Sequence, residues 1–491
     1  MTAIDPALVR RLRAILPDDA VITDPVARRA WESDGLTMHR ALPLAVALPS
    51  TTAQVAAVLR TCHELGVPLV PRGAGTGLSG GALPHEQGVT LAVTRMNQIL
   101  DIDYDNRCVV AQPGVTNLAV TKAVADEGWY YAPDPSSQVA CSLGGNVAEN
   151  SGGVHCLKYG LTTHNLLGVE LVLIDGTVVR LGGKHLDAGG YDLLGVVTGS
   201  EGLLGIVTEV TVRILRTPAQ ARALLVAFAS EEAAGACVAA IIGSGIVPAG
   251  MEMMDRMVIE AVEGFLGATG ASPGYPTDAE ALLIVELDGP AVEVDERTAQ
   301  VEAIAKECGA TSIRASVDEA ERLQFWRGRK AAFPATSRIR PDYYCMDGTI
   351  PRGALPEVLR RIRELSDQHG LPVANVFHAG DGNLHPLVLY DAQQPDQVER
   401  AEALGAEILR ACVAVGGVLS GEHGIGVEKR ALMSEMFSKT DLEVMQRLKC
   451  AFDPEGLLNP GKVFPTLHRC AEGGRMHVHH GDPRHAGIPR F

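Results

Sequence analysis

A glycine-rich stretch near residue 75 limits which nucleotide-binding fold this chain can adopt. The run VPRGAGTGLSGG spans residues 70–81 and contains a G-x-G-x-x-G spacing at Gly75, Gly77 and Gly80. A Rossmann dinucleotide site needs a helix that begins on such glycines. Pro84, a turn and an apolar run follow instead, so a Rossmann domain is excluded at this position. A flexible loop and a cradle of backbone N–H groups for phosphate both stay open.

Two further glycine-rich runs favour the cradle. They are SLGGNVAENSGG at residues 142–153 and GSEGLLGIVTEV at residues 199–210. Small residues let the backbone approach a ligand closely, and Arg72 adds a positive charge in the first run. In the third run, Gly205 and Ile206 lie where bare backbone can pair with the edge of a heterocycle. We therefore expect the three runs to wrap a large cofactor as loops.

Length, charge and cysteine content exclude several classes of protein. A chain of 491 residues predicts two or three domains. A formal charge of −16 argues against nucleic acid and anionic membrane surfaces as partners, so an anionic substrate must meet local Arg or Lys side chains. The absence of an apolar signal-peptide or membrane-span stretch predicts a cytoplasmic protein without a transmembrane segment. The 10 cysteines form no C-x-x-C pair, which favours reduced thiols over an iron–sulfur cluster held by this chain alone.

The pattern of apolar runs predicts an α+β protein in five segments. They are an N-terminal helical arm (1–40), a cofactor domain (41–217), a second α+β domain (218–419), a helical segment (420–466) and a tail (467–491). Local signals predict a helix from Thr51 or Thr52 to Gly66, a hairpin at Asp175-Gly176, and a helix with a capping box of Thr440 and Glu443. For the tail, metal binding and a mobile or partner-contacting role both stay open; its histidines are His477, His479, His480 and His485.

Two motifs late in the chain carry the residue types of a catalytic metal site. HAGDGNLH places His378 and His385 on either side of a Gly-Asp-Gly turn, and GEHGIG supplies Glu422 and His423. If the turn joins two strands, both imidazoles can converge on one point. Two His and one carboxylate leave an open coordination position for a substrate. The alternative is that these histidines are ordinary hydrogen-bonding groups in a turn.

Two other motifs have both a functional and a plain interpretation. In LQFWRGRKAAF, Arg327, Arg329 and Lys330 form either a solvated basic face or a clamp for a substrate carboxylate. In NPGK, Asn459 and Lys462 either bring the C-terminal segment back to the cofactor or form a turn after a helix.

Together these motifs resemble a known family. PRGAGTGLSGG, GGNVAENSGG, YGLTTHNLLGVELVLIDG and GSEGLLGIVTEV are similar to the FAD-binding domain of the vanillyl-alcohol-oxidase/PCMH flavoprotein superfamily. The later motifs narrow the resemblance to its D-2-hydroxyacid dehydrogenase branch. Within that branch the likeness is greatest to the FAD-linked subunits of bacterial glycolate oxidases, and it covers nearly the whole chain. The implied fold is a PCMH-type FAD-binding domain of two subdomains, a ferredoxin-like α+β cap domain, and a C-terminal helical segment that returns to the FAD-binding domain.

The resemblance also implies roles for individual residues. Those matching FAD contacts are Pro71, Arg72, Gly73, Ala74, Gly75, Thr76, Gly77, Leu78, Gly80, Pro135, Ser136, Gly144, Gly145, Asn146, Asn150, Ser151, Gly152, Gly153, Tyr159, Gly160, Glu201, Gly202, Gly205, Ile206 and Asn459. Some members tether the flavin through a histidine where this chain has Thr76, so the resemblance implies non-covalent FAD. It further implies that His378, His385 and Glu422 bind a divalent metal such as zinc, that His423 is the base, and that Arg329 binds the substrate carboxylate.

The sequence departs from the 2-hydroxyglutarate enzymes of the branch at two positions. Cys345 stands where they have a substrate-binding lysine, and Leu387 stands where they have an asparagine. These changes favour a small monoacid such as glycolate or D-lactate. Our hypothesis is oxidation of that acid to a 2-oxo acid, in which His423 takes the hydroxyl proton and the α-hydrogen leaves as hydride to flavin N5.

The resemblance implies partner subunits as well. A second flavin-type subunit and an iron–sulfur subunit of a glycolate oxidase complex would accept the electrons and could hold the chain at the inner face of the membrane. The alternatives are a D-lactate or D-2-hydroxyglutarate dehydrogenase and a non-catalytic FAD-binding subunit of a complex.

Overall fold

The computed structural model describes residues 5–185 and 189–465. Its α-helices are α1 (Pro6–Ile15), α2 (Pro25–Arg28), α3 (Thr52–Leu65), α4 (Asn117–Val124), α5 (Leu143–Glu149), α6 (Cys156–Tyr159), α7 (Thr162–Asn165), α8 (Leu193–Val197), α9 (Glu231–Gly243), α10 (Arg256–Gly267), α11 (Ala291–Glu307), α12 (Glu319–Lys330), α13 (Ala332–Thr336), α14 (Leu355–His369), α15 (Gln397–Ala414), α16 (Met433–Met436) and α17 (Lys439–Phe452). Its strands are β1 (Val21–Ile22), β2 (Ala45–Ala47), β3 (Leu69–Arg72), β4 (Val89–Ala92), β5 (Ile99–Asp103), β6 (Cys108–Ala111), β7 (Trp129–Tyr130), β8 (Leu166–Val172), β9 (Val178–Gly182), β10 (Ile206–Arg213), β11 (Leu215–Arg216), β12 (Gln220–Phe228), β13 (Gly250–Asp255), β14 (Ala281–Gly289), β15 (Ala310–Ala315), β16 (Asp342–Cys345), β17 (Gly348–Thr349), β18 (Val373–Phe377), β19 (Asn383–Leu384) and β20 (Pro386–Tyr390). This mixture of separate helices and mainly antiparallel sheets confirms the α+β class.

The chain divides into two compact units, each built from more than one segment. Unit 1 comprises Met1–Ser151, Leu161–Arg216 and Glu422–Phe491, and unit 2 comprises Gly152–Gly160 and Thr217–Gly421. The tail histidines at positions 477, 479, 480 and 485 lie outside the described residues.

Two segments pack differently from their predicted assignment. Residues 152–160, which we assigned to the cofactor domain, belong to unit 2. There His155 and Lys158 pair with two acidic side chains of β14. The N-terminal segment, expected as a separate arm, is part of unit 1 because Leu8 and Leu12 of α1 are fully buried in its core.

The first layer of unit 1 is a four-stranded sheet in the order β1-β2-β4-β3, in which β4 runs parallel to both β2 and β3. Helix α3 begins where the Thr51 hydroxyl accepts the N–H of Gln54 and ends at the left-handed Gly66, as predicted. The chain then passes from β3 to β4 through residues 73–88 without a helix. This confirms that the first glycine run does not open a Rossmann helix.

The second layer of unit 1 is an antiparallel sheet in the order β5-β6-β10-β8-β9. Strands β8 and β9 pair across the Asp175-Gly176 turn, which confirms the predicted hairpin. Alternate residues of β10, among them Val210 and Val212, are fully buried in the core of this layer. Ile206, at the start of β10, packs instead into the core of the first layer.

Unit 2 is built on a seven-stranded sheet in the order β15-β12-β14-β13-β18-β20-β16, in which neighbouring strands are antiparallel. Helices α10, α12 and α13 pack their apolar side chains on this sheet, with Phe325 and Val262 fully buried. Helices α9, α11, α14 and α15 also contact its strands. Among the described helices, none combines the length and apolarity that crossing a membrane requires.

Three local predictions are corrected by the structure. The second glycine run is not a loop: residues 143–149 form α5, because the Ser142 hydroxyl caps the helix by accepting the N–H of Gly145 and Asn150 ends it in the left-handed conformation. Helix α17 begins earlier than predicted, with a capping box of Ser438 and Asp441. Strand β13 and helix α10 were not predicted; β13 carries a glutamate in its interior and offers no clear alternation.

Candidate active site

Unit 1 contains a cleft whose walls come from all three glycine runs. The predicted residues that line it are Pro71, Arg72 and Gly73 of the first run, Gly144 and Gly145 of the second, and Glu201, Gly202, Gly205 and Ile206 of the third. Apolar side chains, including Val93 and Leu171, cover part of the wall. Backbone amides and apolar side chains together suit a ligand that has both phosphate and ring portions.

Glycine is required where the runs meet. A Cβ atom on Gly73 would lie 2.2 Å from Ser142 Oγ, the atom that caps α5. A Cβ atom on Gly202 would lie 2.3 Å from Pro71 Cγ, and Gly202 has a φ of +68°. The three runs therefore approach each other only because these positions lack side chains.

Arg72 supplies a positive charge to the cleft wall. Its Nη1 donates a hydrogen bond to the Ser33 carbonyl at 2.7 Å, and its guanidinium carbon lies 5.5 Å from the centre of the Trp31 ring. Burial lowers the pKa of Arg72, while the nearby Asp34 carboxylate raises it. The guanidinium is therefore held in a fixed position by its neighbours, as a phosphate-binding group requires.

Glu201 joins the cleft to the segment that returns from residue 422. Its two carboxylate oxygens accept the N–H groups of Ile425 at 2.6 Å and Gly426 at 2.8 Å. The side chain is buried, and burial raises the pKa of Glu201. Its φ of 51° is in the left-handed region that non-glycine residues rarely adopt, so the contact fixes a strained backbone.

The C-terminal end of unit 1 is anchored on the same runs. The Asn459 amide nitrogen donates to the Gly81 carbonyl at 3.0 Å and to the Glu201 carbonyl at 2.7 Å. Lys462 Nζ donates to the Leu83 carbonyl at 2.9 Å, and burial lowers the pKa of Lys462 to about 8. A plain surface turn does not account for two buried side chains, of which Asn459 binds two glycine runs and Lys462 binds the backbone just after the first.

In unit 2, the HAGDGNLH motif brings two buried histidines together. His378 follows β18 and forms an antiparallel bridge with Asn383 across the turn. The rings of His378 and His385 are nearly perpendicular, with centroids 5.0 Å apart. Their exposed fractions are 4% and 2%. The expectation that the turn makes both imidazoles converge is confirmed.

A buried carboxylate holds the first of these histidines together with Arg329. Glu252 Oε1 lies 2.7 Å from His378 Nδ1, and its Oε2 accepts hydrogen bonds from Arg329 Nε and Nη2, each at 2.7 Å. Burial alone would raise the pKa of Glu252, but His378 and Arg329 outweigh it and lower that pKa. Arg329 is 2% exposed, so it is not part of a solvated basic face. Its helix neighbours Arg327 and Lys330 are exposed, as that interpretation expects.

Cys345 and Leu387, the two positions at which the sequence is expected to depart from the 2-hydroxyglutarate enzymes, lie on neighbouring strands beside the two histidines. Cys345 on β16 is paired in register with Leu387 on β20, and both are buried. Cys345 Sγ is 3.8 Å from His385 Nδ1. This wall of the histidine site is therefore apolar except for a thiol.

The donor set of unit 2 fits a borderline divalent metal. A carboxylate on His378 Nδ1 favours the tautomer whose lone pair lies on Nε2, the arrangement found in histidines that bind zinc in other proteins. The other two predicted residues, Glu422 and His423, belong to unit 1, where they begin the returning segment. Gly421, the last residue of unit 2, is held by Asp347, whose backbone carbonyl and Oδ2 accept its N–H at 2.9 and 3.1 Å.

Comparison with known families decides the class of protein. Residues 43–182 match the FAD binding domain family, and residues 217–463 match the family described as FAD linked oxidases, C-terminal domain. The chain is an FAD-linked oxidase. FAD is therefore the cofactor of this chain.

Relatives of this FAD-linked oxidase include enzymes that act on 2-hydroxy acids. It is 58% identical to the glycolate oxidase subunit GlcD of Escherichia coli strain K12, over 94% of this chain and 91% of the relative. It is 33% identical to the D-lactate dehydrogenase of Archaeoglobus fulgidus, over 86% of this chain and 91% of the relative. The solved structure of p-cresol methylhydroxylase has the same fold, with a TM-score of 0.79 at 18% identity, covering 94% of this chain and 96% of the other. The predicted PCMH-type fold and the FAD-dependent 2-hydroxyacid oxidoreductase class are confirmed.

Several predicted FAD contacts are not among the residues that line the unit 1 cleft. Those within unit 1 are Ala74, Gly75, Thr76, Gly77, Leu78, Gly80, Pro135, Ser136, Asn146, Asn150, Ser151 and Asn459. Four others, Gly152, Gly153, Tyr159 and Gly160, belong to unit 2. The Tyr159 hydroxyl there donates to Asp288 Oδ2 at 2.6 Å.

Sequence reasoning missed two acidic residues of the FAD-linked oxidase. Glu149, the last residue of α5, lines the cleft, but its position became visible only once residues 143–149 formed a helix. Glu252 was hidden in the unpredicted strand β13. A single glutamate inside GMEMMD was the available signal, because a charge in an otherwise apolar buried segment needs a partner.

Proposed function

We propose that this FAD-linked oxidase converts a small 2-hydroxy acid to a 2-oxo acid, with glycolate to glyoxylate as the preferred reaction. The observation that carries the proposal is the group of His378, His385 and Arg329, all at least 95% buried, in the second unit of an FAD-linked oxidase. Identity of 58% with a glycolate oxidase subunit supports the choice of substrate.

Each side chain has one task in this proposal. Arg329 binds the substrate carboxylate through its Nη1–Nη2 edge, since a guanidinium matches a carboxylate with two parallel hydrogen bonds. His423 accepts the proton of the α-hydroxyl, and a histidine with an ordinary pKa of about 6.5 suits this task at neutral pH. FAD, when bound, would accept the hydride of the α-carbon, so substrate loses one proton and one hydride.

We further propose that His378, His385 and Glu422 hold a divalent metal, of which zinc fits the nitrogen donors best. A metal there would lower the pKa of the substrate hydroxyl.

The walls of the histidine site favour a monoacid. Cys345 and Leu387 offer no cationic or amide group for a second carboxylate, and both are buried. D-lactate dehydrogenase activity is the second candidate, supported by 33% identity with an archaeal enzyme of that name.

We also propose non-covalent FAD and partner subunits. Thr76 stands in the first glycine run where a tethering histidine is found in some flavoproteins, and a threonine hydroxyl does not make that bond. The relative that is 58% identical is a subunit of a glycolate oxidase, which supports passage of the electrons to partner subunits, namely an iron–sulfur subunit and a second flavin-type subunit. Such subunits would hold a cytoplasmic chain at the inner face of the membrane.

The proposal is tested by anaerobic mixing of the FAD-loaded protein with glycolate, D-lactate, L-lactate and D-2-hydroxyglutarate. We expect the visible flavin absorbance to bleach fastest with glycolate and more slowly after treatment with a chelator. Absence of bleaching with every acid would refute the enzyme and favour a non-catalytic FAD-binding subunit. Bleaching that chelation leaves unchanged would refute the metal.

The role of Arg329 is tested with a matched control on the same helix. Arg329→Lys keeps the charge but loses the paired hydrogen bonds, so we expect KM for glycolate to rise at least tenfold. Arg327→Lys changes an exposed arginine two residues away and should leave KM within twofold. Equal KM values for the two variants would contradict a carboxylate clamp at Arg329.

A further inference from the structure

We infer that Glu252 is a positioning residue that sets the metal affinity of His378 and the orientation of Arg329 at once. This inference rests on the proposed function, because it assumes that His378 binds the metal and that Arg329 binds the substrate. Glu252 itself binds neither the metal nor the substrate in this proposal.

The geometry divides the carboxylate between the two partners. Glu252 lies in β13, whose neighbours in the sheet are β14 and β18, and its side chain is fully buried. One oxygen is 2.7 Å from His378 Nδ1, while the other accepts both Nε and Nη2 of Arg329 at 2.7 Å. Any rotation of the carboxylate that improves one contact weakens the other.

The contact with His378 selects a tautomer. When Nδ1 donates its proton to Glu252, the lone pair of the ring lies on Nε2, and the ring is held in one orientation. Carboxylates that bind metal-ligating histidines in this way typically change metal affinity about 10- to 100-fold when they are removed. The same mechanism at Glu252 predicts a loss of that size.

The contact with Arg329 balances charge. A buried guanidinium without a counter-ion is costly, and Glu252 neutralises it through the Nε–Nη2 edge. The Nη1–Nη2 edge is then oriented by a fixed side chain rather than by a mobile one. Binding of the metal and binding of the substrate carboxylate are therefore coupled through the side chain of Glu252.

The chain contains a matched control. Glu286 lies in β14, the strand next to β13, and its side chain is 3% exposed. It also binds one histidine and one arginine: Oε1 lies 3.1 Å from His155 Nε2, and Oε2 accepts Arg322 Nη1 at 2.6 Å. Burial would raise the pKa of Glu286, but these partners lower it to about 2. Loss of either carboxylate should destabilise unit 2 similarly, yet only Glu252 contacts a proposed metal ligand.

The experiment compares FAD-loaded wild-type protein with Glu252→Gln and Glu286→Gln. Zinc affinity is measured by competition with a chromophoric chelator, and folding is followed by Tm and by the flavin-to-protein absorbance ratio. We expect zinc to bind Glu252→Gln about 10- to 100-fold more weakly, Glu286→Gln to stay within twofold of wild type, and both variants to retain FAD. If Glu252→Gln does not fold, Glu252→Asp replaces it, with a smaller loss of zinc affinity expected.

Two results would overturn the inference, and they differ from failure of the proposed function. Wild-type affinity for zinc in Glu252→Gln would show that the carboxylate does not set the metal site. An equal loss in Glu286→Gln would show a general effect of destabilising unit 2. If wild-type protein binds no zinc at all, the metal of the proposed function and the inference fall together.

Discussion

The clamp that Glu201 forms on the returning segment gives a sharp prediction for Glu201→Gln. The carboxylate accepts the N–H groups of Ile425 and Gly426 with one oxygen each. A glutamine keeps the shape but offers an NH₂ group to one of these donors, so one hydrogen bond is lost and two donors face each other. A hydrogen bond to a charged group is worth about 1.5–3 kcal/mol, which corresponds to a factor of about 10–150 in an equilibrium constant.

Hydrogen–deuterium exchange measures this loss directly. The amides of Ile425 and Gly426 exchange when the clamp opens, so we expect these two amides, followed in peptides that cover residues 423–429, to exchange about 10–150-fold faster in Glu201→Gln. Because His423 lies in the same segment, kcat should also fall. The backbone N–H groups of Val427 and Glu428 bind the Ser79 carbonyl at 3.0 and 3.1 Å and should stay protected.

The control is Glu209→Gln in β10. Glu209 Oε1 pairs with Arg180 Nη1 at 2.7 Å, and the Arg180 side chain is 63% exposed, so this ion pair should contribute little to stability. We expect its exchange profile at residues 423–429 to match wild type. Unchanged exchange of Ile425 and Gly426 in Glu201→Gln would refute the clamp, as would equal acceleration in both variants.

Three further predictions concern stability and cofactor binding. Burial raises the pKa of Asp255 from its ordinary value of 3.8 to about 7. Between these two pH values the folded chain keeps a proton that the unfolded chain loses. The free energy of unfolding should therefore fall by about 1.4 kcal/mol for each unit by which the pH rises through this range. Asp255→Asn should remove this slope in urea unfolding measured at several pH values, and an unchanged slope would contradict the assignment. Lys449→Met leaves the buried carboxylate of Asp453 without its cation, so the free energy of unfolding of unit 1 should fall by about 3–5 kcal/mol. A fall of less than about 1 kcal/mol in urea unfolding would argue that this ion pair is not buried. Gly73→Ala forces the Ser142 hydroxyl away from the N-terminus of α5 that it caps, which costs about 1 kcal/mol and should weaken FAD binding in a titration with FAD. In a Ser142→Ala background the same change should have little effect. Additive effects of the two substitutions would exclude the contact.

Features set by local chemistry were predictable from the sequence, whereas those set by distant contacts were not. The cap at Thr51 and the turn at Asp175-Gly176 involve neighbours in the chain, and both appear where expected. The convergence of His378 and His385 was predictable for the same reason, because a tight turn joins them. The helical state of residues 143–149 was missed because glycine content favours a loop, while the Ser142 cap and the packing of Val147 favour a helix.

The role of Glu252 shows the limit most clearly. Its partners are distant along the chain: Arg329, on helix α12, is 77 residues away, and His378, which follows strand β18, is 126 residues away. No local pattern marks such a triad: the pairing of β13 with β18 places Glu252 beside His378, and Arg329 reaches the same carboxylate from helix α12. The assignment of residues 152–160 to unit 2 has the same origin, since it depends on two acidic side chains of β14.

The interleaving of the two units has a consequence for synthesis on the ribosome. Unit 2 has all its residues once Gly421 has been made, because residues 152–160 emerge earlier. Unit 1 still lacks the two N–H groups that bind Glu201, those of Ile425 and Gly426, when unit 2 is complete, and it lacks Lys449 and Asn459 for longer. Unit 1, whose residues lie on both sides of unit 2 in the sequence, is therefore completed after unit 2. A released fragment that ends at residue 421 should already resist protease across residues 217–421, while its first 150 residues should be more sensitive than in the full chain.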